Sequence, residues 1–178
     1  MTRLEDALAR SRLLPLAVPA SADEARRLVD GLDGGVLEIA LRRDEALEAL
    51  AAVTGRADVL VGAGTVRTVD QVDRAADAGA AFVVTPGFRP EIVERCLELG
   101  LDVLPGVATA GEVMGALGLG VDTVKLFPAE VLGGVALVAA LAGPFPDVRM
   151  VPSGGVTAER AAAYLELPTV LAVSRSLA

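Results

Sequence analysis

Short apolar runs alternate with longer amphipathic stretches from one end of the chain to the other. The runs predict strands over residues 14–18, 36–41, 58–63, 81–85, 102–105, 123–126, 149–153 and 169–173. Between them, helical spacing covers about 21–32, 44–53, 68–78, 89–98, 109–118, 130–142 and 157–165. Ser21, Asp44, Thr68 and Thr157 are the predicted N-caps, with Glu24 and Arg160 three residues after Ser21 and Thr157.

Strands that alternate with helices pair in parallel through right-handed crossovers, and an unbroken run such as Val59-Leu60-Val61 suits a strand covered on both faces. Eight such units predict an α/β fold of the closed (βα)8, or TIM, barrel type in one domain spanning 1–178, with a doubly wound open sheet as the alternative. The sequence runs only a few residues past the eighth strand, so the reading contains no C-terminal eighth helix and leaves part of the outer surface bare. A clipped chain would account for this; a neighbouring subunit over the gap is the preferred expectation.

Composition narrows the chemistry. Aromatic residues are 3% of the chain against 53% hydrophobic, so Ala, Val and Leu fill the core. The absence of His excludes imidazole triads and His metal sites, leaving acid–base work mainly to carboxylates. A lone cysteine, Cys96, excludes an internal disulfide framework and points to a reducing, cytoplasmic setting; on a helix among Glu94, Arg95 and Glu98 it reads as packing. A net charge of -8 argues against nucleic-acid partners, and no apolar run is long enough to cross a membrane. The sixteen basic residues hold one further asymmetry: all are Arg except Lys125. In a composition that uses Arg wherever either serves, a single retained Lys points to chemistry that a guanidinium cannot perform.

In a parallel barrel, reactive groups gather at the carboxyl ends of the strands. Period-two alternation turns Glu38, Ala40 and Arg42 inward on the second strand, opposite Leu37, Ile39 and Leu41. On the sixth strand Thr123, Lys125 and Phe127 share the inward parity. An ammonium flanked by Val124, Leu126 and Phe127 is expected to be partly desolvated, which lowers a lysine pKa and frees its lone pair for attack on a carbonyl. Strands two and six lie opposite each other, so Glu38 is placed to face Lys125 across the axis. Structural alternatives are an internal Glu38–Arg42 ion pair, and a lysine that snorkels outward or pairs with Glu130. The third strand closes on Gly62-Ala63-Gly64-Thr65, small residues followed by a hydroxyl. The seventh closes on Ser153-Gly154-Gly155-Val156-Thr157, glycines leading into a helix, which is a nest for an anion such as phosphate. Ser174-Arg175-Ser176 adds hydroxyls and a guanidinium beside it, and the turns Thr85-Pro86-Gly87 and Leu104-Pro105-Gly106 shape the pocket floor.

Taken together, LEIALR at 37–42, VGAGTV at 61–66, TPG at 85–87, LPGVAT at 104–109, VKLFPAE at 124–130 and PSGGV at 152–156 resemble, in order and spacing, the 2-dehydro-3-deoxy-phosphogluconate (KDPG) and 4-hydroxy-2-oxoglutarate (KHG) aldolase family. The resemblance spans about 13–177 and implies a class I aldolase. Lys125 would form a Schiff base with pyruvate and Glu38 would relay protons. Arg42 and Thr65 would hold the pyruvate carboxylate; Phe127, Pro86 and Gly106 would line the pocket. Gly154, Gly155 and Ser176 would hold the phosphate, with Ser153 near the substrate hydroxyls. It also implies a homotrimer, a 2-oxo acid or phosphosugar as the small-molecule partner, and no metal or other cofactor. The expected reaction is cleavage of 2-dehydro-3-deoxy-6-phosphogluconate to pyruvate and glyceraldehyde 3-phosphate. A non-phosphorylated 4-hydroxy-2-oxo acid as substrate, or a non-catalytic phosphate-binding barrel, are the alternatives. This chain departs from the family where Gly-Gly-Ser is usual, at Ser174-Arg175-Ser176, and where Pro15-Leu16-Ala17-Val18-Pro19 ends the first strand without a polar residue.

Overall fold

In a computed structural model describing residues 1–177, the strands are β1 (Leu13–Ala17), β2 (Gly35–Ala40), β3 (Val59–Gly64), β4 (Phe82–Val84), β5 (Asp102–Leu104), β6 (Gly106–Val107), β7 (Thr123–Leu126), β8 (Arg149–Pro152) and β9 (Val173–Ser176). The helices are α1 (Arg3–Ser11), α2 (Ala22–Asp30), α3 (Ala46–Ala51), α4 (Val69–Asp77), α5 (Pro90–Glu98), α6 (Ala110–Gly118), α7 (Val135–Ala142) and α8 (Ala158–Leu165). All strand pairs are parallel. Instead of one eight-stranded barrel, the hydrogen-bonded ladders form a curled six-stranded sheet, in the order β5-β4-β3-β2-β1-β9, and a three-stranded sheet, β6-β7-β8.

The division has local causes. Pro105 separates β5 from β6 and has no N–H to donate, although its carbonyl accepts from the Lys125 amide at 2.9 Å. On the other side, two isolated parallel bridges join the chain in and just after β8 to the segment that leads into the last strand and to the strand itself, Met150 to Val170 and Ser153 to Ser174.

Strand alternation sorts the apolar side chains into two cores. Leu37, Ile39, Val61, Val83 and Leu126 face the helices and join Val29, Val72, Ile92 and Val113. The opposite parity gives a concave inner cluster of Leu14, Val36, Phe82, Val84, Leu104 and Val151, into which α1 inserts Leu4 and Leu8. Burial of these two leucines contributes roughly 1.5–3 kcal/mol each.

Four sequence expectations change. Helix α1 was not foreseen; a capping box between Thr2 and Glu5 starts it, and Arg12 in the left-handed region (φ 55°) ends it. The last strand lies at Val173–Ser176, later than the apolar run at 169–173, because backbone pairing with β1 places Ser174 opposite Leu14 and Ser176 opposite Leu16. Asp44 is not a cap: α3 starts after Glu45, with no side-chain capping bond. Helix α7 begins only at Val135, because Gly133 (φ 122°) and Gly134 (φ 61°) leave the helical region. Ser21, Thr68 and Thr157 do cap their helices, each accepting from a backbone amide three residues on.

Candidate active site

The inward parity of β2 and β7 brings one carboxylate and one amine together. Lys125 Nζ donates to Glu38 Oε1 at 3.4 Å, with the lysine 4% and the glutamate 0% exposed. The nitrogen also lies 5.5 Å from the centre of the Phe127 ring, within reach of a cation–π contact. Burial pushes the Glu38 carboxyl above its ordinary value of 4.5, although the Lys125 charge and hydrogen bond and, more weakly, Arg42 pull the other way. Its second oxygen, Oε2, has no partner among the described residues.

The tight approach of Glu38 explains a glycine. A Cβ at Gly64 would lie 2.1 Å from Glu38 Oε1 and 2.4 Å from its Cγ, so only glycine leaves room for the carboxylate. Two residues earlier, a Cβ at Gly62 would lie 2.4 Å from the Phe82 ring. The small residues of β3 therefore accommodate side chains from neighbouring strands.

Neither structural alternative for the charged residues is realised. Arg42 does not bridge Glu38; its Nε donates to Thr65 Oγ1 at 3.1 Å. Thr65 follows β3 with φ 57°, an unfavourable backbone for a β-branched residue and one that recurs at functional positions. Glu130 serves Tyr164, whose hydroxyl donates at 2.7 Å, and Arg160, leaving Lys125 to Glu38.

A cavity of about 670 Å³ opens over Lys125. Lys125, Arg42, Phe127, Ser153, Gly154, Gly155 and Ser176 line it. Gly154 (φ 89°) and Gly155 (φ 81°) adopt left-handed conformations just before Thr157 caps α8, so the turn is shaped as an anion nest at a helix start. A Cβ at Gly155 would also come within 2.9 Å of the Glu130 Cβ. Sequence reasoning assigned no role to Leu16, Val156, Ala158 or Glu159, which share the lining with Thr157, Ser174 and Arg175. The position of Glu159 in the first turn after the double glycine was the available signal. Its carboxyl is held below 4.5 by hydrogen bonds from Thr157 and its own backbone and by the nearby Arg175 charge.

Four expected residues lie outside this lining: Glu38, which is fully buried behind Lys125 and bonded to it, and Thr65, Pro86 and Gly106. Thr65 touches it through Arg42. Pro86 and Gly106 instead pack on each other, since a Cβ at Gly106 would lie 2.5 Å from the Pro86 carbonyl carbon. Thr85 Oγ1 fixes that contact, accepting from the Gly106 amide at 2.9 Å and donating to the Gly87 carbonyl at 2.8 Å. Cys96 is buried and its thiol is pushed up to about 12 by desolvation, consistent with packing.

A parallel α/β scaffold with a buried lysine–carboxylate pair at strand carboxyl ends, opening onto an anion nest, defines a protein equipped for imine chemistry on a small anionic carbonyl compound. The family model for KDPG and KHG aldolase matches residues 4–177, and the chain belongs to that family. A 2-dehydro-3-deoxy-phosphogluconate aldolase of Treponema pallidum is 44% identical, over 99% of this chain and 86% of the relative. The KHG/KDPG aldolase of Escherichia coli K12 is 34% identical, over 98% and 84%. Among solved structures, KDPG aldolase from Legionella pneumophila, with pyruvate captured at low pH as a covalent carbinolamine intermediate, superposes with a TM-score of 0.91 at 34% identity, covering 97% of this chain and 86% of that one. The Zymomonas mobilis ZM4 enzyme with 3-phosphoglycerate gives 0.90 at 35% identity, over 97% and 84%.

Proposed function

We propose that the protein is a class I aldolase that cleaves 2-dehydro-3-deoxy-6-phosphogluconate to pyruvate and glyceraldehyde 3-phosphate. The buried 3.4 Å contact between Lys125 Nζ and Glu38 Oε1 beside an anion-binding turn carries this reading. Attack requires a neutral amine, and Glu38 is the base within reach. Lys125 Nζ adds to the C2 carbonyl of the substrate to give a carbinolamine; Glu38 protonates the departing hydroxyl, and loss of water leaves an iminium. Glu38 then accepts the proton of the C4 hydroxyl as the C3–C4 bond breaks. The bonding electrons enter the iminium to form an enamine, and the aldehyde departs. Protonation at C3 and hydrolysis release pyruvate and restore the amine.

Arg42 and Thr65 are assigned the pyruvate carboxylate, Phe127, Pro86 and Gly106 the pocket wall, and Ser153 a substrate hydroxyl. Gly154, Gly155 and Ser176 take the phosphate. The bond from the Lys125 amide to the Pro105 carbonyl across the gap and the two bridges near β8 support treating both sheets as one (βα)8 barrel and residues 1–178 as one domain. The lone, buried Cys96 supports a cytoplasmic setting. Exposed Met114 and Leu117 on α6, and Val131 and Leu132 before α7, support a homotrimer, whose mass by light scattering would be three times 18.1 kDa.

Borohydride reduction with pyruvate tests the central step: a stable adduct is expected at Lys125 and none in Lys125→Arg. An unmodified protein, or equal labelling of both, refutes the assignment.

A further inference from the structure

We propose that Ser174 selects aldehyde partners bearing a hydroxyl next to the carbonyl. The inference rests on the aldolase reading and concerns the half of the substrate that departs as aldehyde.

Ser174 is 2% exposed, and its Oγ has no hydrogen-bond partner among the described residues. A buried hydroxyl left in this state forfeits its hydration without compensation, which is tolerated where a ligand completes the bond. Its neighbours leave few ways to satisfy it internally. It stands opposite Leu14 on β1 and bridges to Ser153 across the junction between the two sheets. Like Ser153, it lines the cavity that contains Lys125. The two serines therefore place a pair of hydroxyls on adjoining segments of the cavity wall that also carries the amine assigned to the imine and the glycine turn assigned to the phosphate.

The substrate that spans this distance carries hydroxyls between its keto acid end and its phosphate. Glyceraldehyde 3-phosphate bears one beside its aldehyde carbon; glyoxylate, the aldehyde released from 4-hydroxy-2-oxoglutarate, bears none. A hydroxyl on the protein that meets a hydroxyl on the substrate favours the first and does nothing for the second. Ser174 thus biases this chain towards the substrate that carries hydroxyls beyond its keto acid end.

The test compares kcat/KM of Ser174→Ala for 2-dehydro-3-deoxy-6-phosphogluconate and for 4-hydroxy-2-oxoglutarate, with Ser174→Cys as a near-isosteric second variant that holds the side-chain volume. Loss of one neutral hydrogen bond is expected to lower the ratio of the two by about tenfold in the alanine variant. Equal losses on both substrates, or no loss on either, would overturn the proposal, since a structural role moves both together. If the alanine variant does not fold, the cysteine variant decides by the same ratio, its poor hydrogen-bonding thiol giving a fall of at least threefold if the proposal holds. Borohydride labelling of wild-type Lys125 with pyruvate is run beside it: absence of label counts against the aldolase reading itself, whereas label with an unchanged ratio counts against Ser174 alone.

Discussion

Gly64→Ala should disable the reactive pair through a single methyl group. The new Cβ would sit 2.1 Å from Glu38 Oε1 and 2.4 Å from Cγ, well inside contact distance, and the backbone of β3 is held on both sides by β2 and β4. The carboxylate must therefore move. Crowding of this kind costs about 1–3 kcal/mol. For a chain of this size, 1 kcal/mol corresponds to roughly 2–4 °C in Tm, so the expected fall is roughly 2–12 °C. Activity should fall further than stability accounts for, at least tenfold in kcat measured well below the melting temperature by pyruvate release coupled to lactate dehydrogenase. Gly62→Ala is the control. Its Cβ meets the Phe82 ring at 2.4 Å, a comparable clash in the inner core that leaves the Glu38 contact with Lys125 in place. It should lose similar thermal stability and keep its turnover. Parallel loss of turnover in both variants, or a fully active Gly64→Ala, would refute the reasoning.

Three further outcomes can be measured. Glu38→Gln should lower kcat by about 10²–10⁴. It should also erase an acid limb that in the parent lies above 4.5, because burial raises the Glu38 carboxyl and the base form appears only at higher pH. Thr123→Val removes the 2.6 Å bond from the Thr123 hydroxyl to Glu5 Oε1 and should cost about 1–3 kcal/mol by chemical denaturation at neutral pH. Burial would raise the Glu5 carboxyl, but bonds from Thr123 and the Thr2 amide and the charge of Arg149 outweigh it and hold it below 4.5. Its contribution is therefore present above 4.5 and lost as pH falls through the lower folded value, and the variant should show a flatter acid limb of stability. Glu159→Gln removes a negative charge from the turn assigned to the phosphate and should lower KM for a phosphorylated substrate, with little change for an unphosphorylated one.

The buried Lys125–Glu38 pair was legible because alternation along a strand is strict: the apolar Leu37 and Ile39 leave Glu38 no choice of face, and Val124 and Leu126 do the same for Lys125. What alternation cannot show is the register of neighbouring strands, so the Arg42–Thr65 bond and the tight fit at Gly64, both between β2 and β3 or the residues just past them, appear only in three dimensions. Helix α1 was missed although its signals were present: Thr2-Arg3-Leu4-Glu5 is a capping box, and Leu4, Ala7 and Leu8 have helical spacing. The last strand was placed too early because Ser174-Arg175-Ser176 looks like a turn; pairing with β1 supplies an extended conformation that its composition does not.

Lys125 belongs to the three-stranded sheet and Glu38 to the six-stranded one, so the bond between them ties the two sheets together across the interior. If the proposed roles hold, turnover is consequently a gauge of how firmly the halves are clasped: any slackening between the two sheets separates donor from acceptor while each half keeps its secondary structure, and warming should silence turnover before the chain melts.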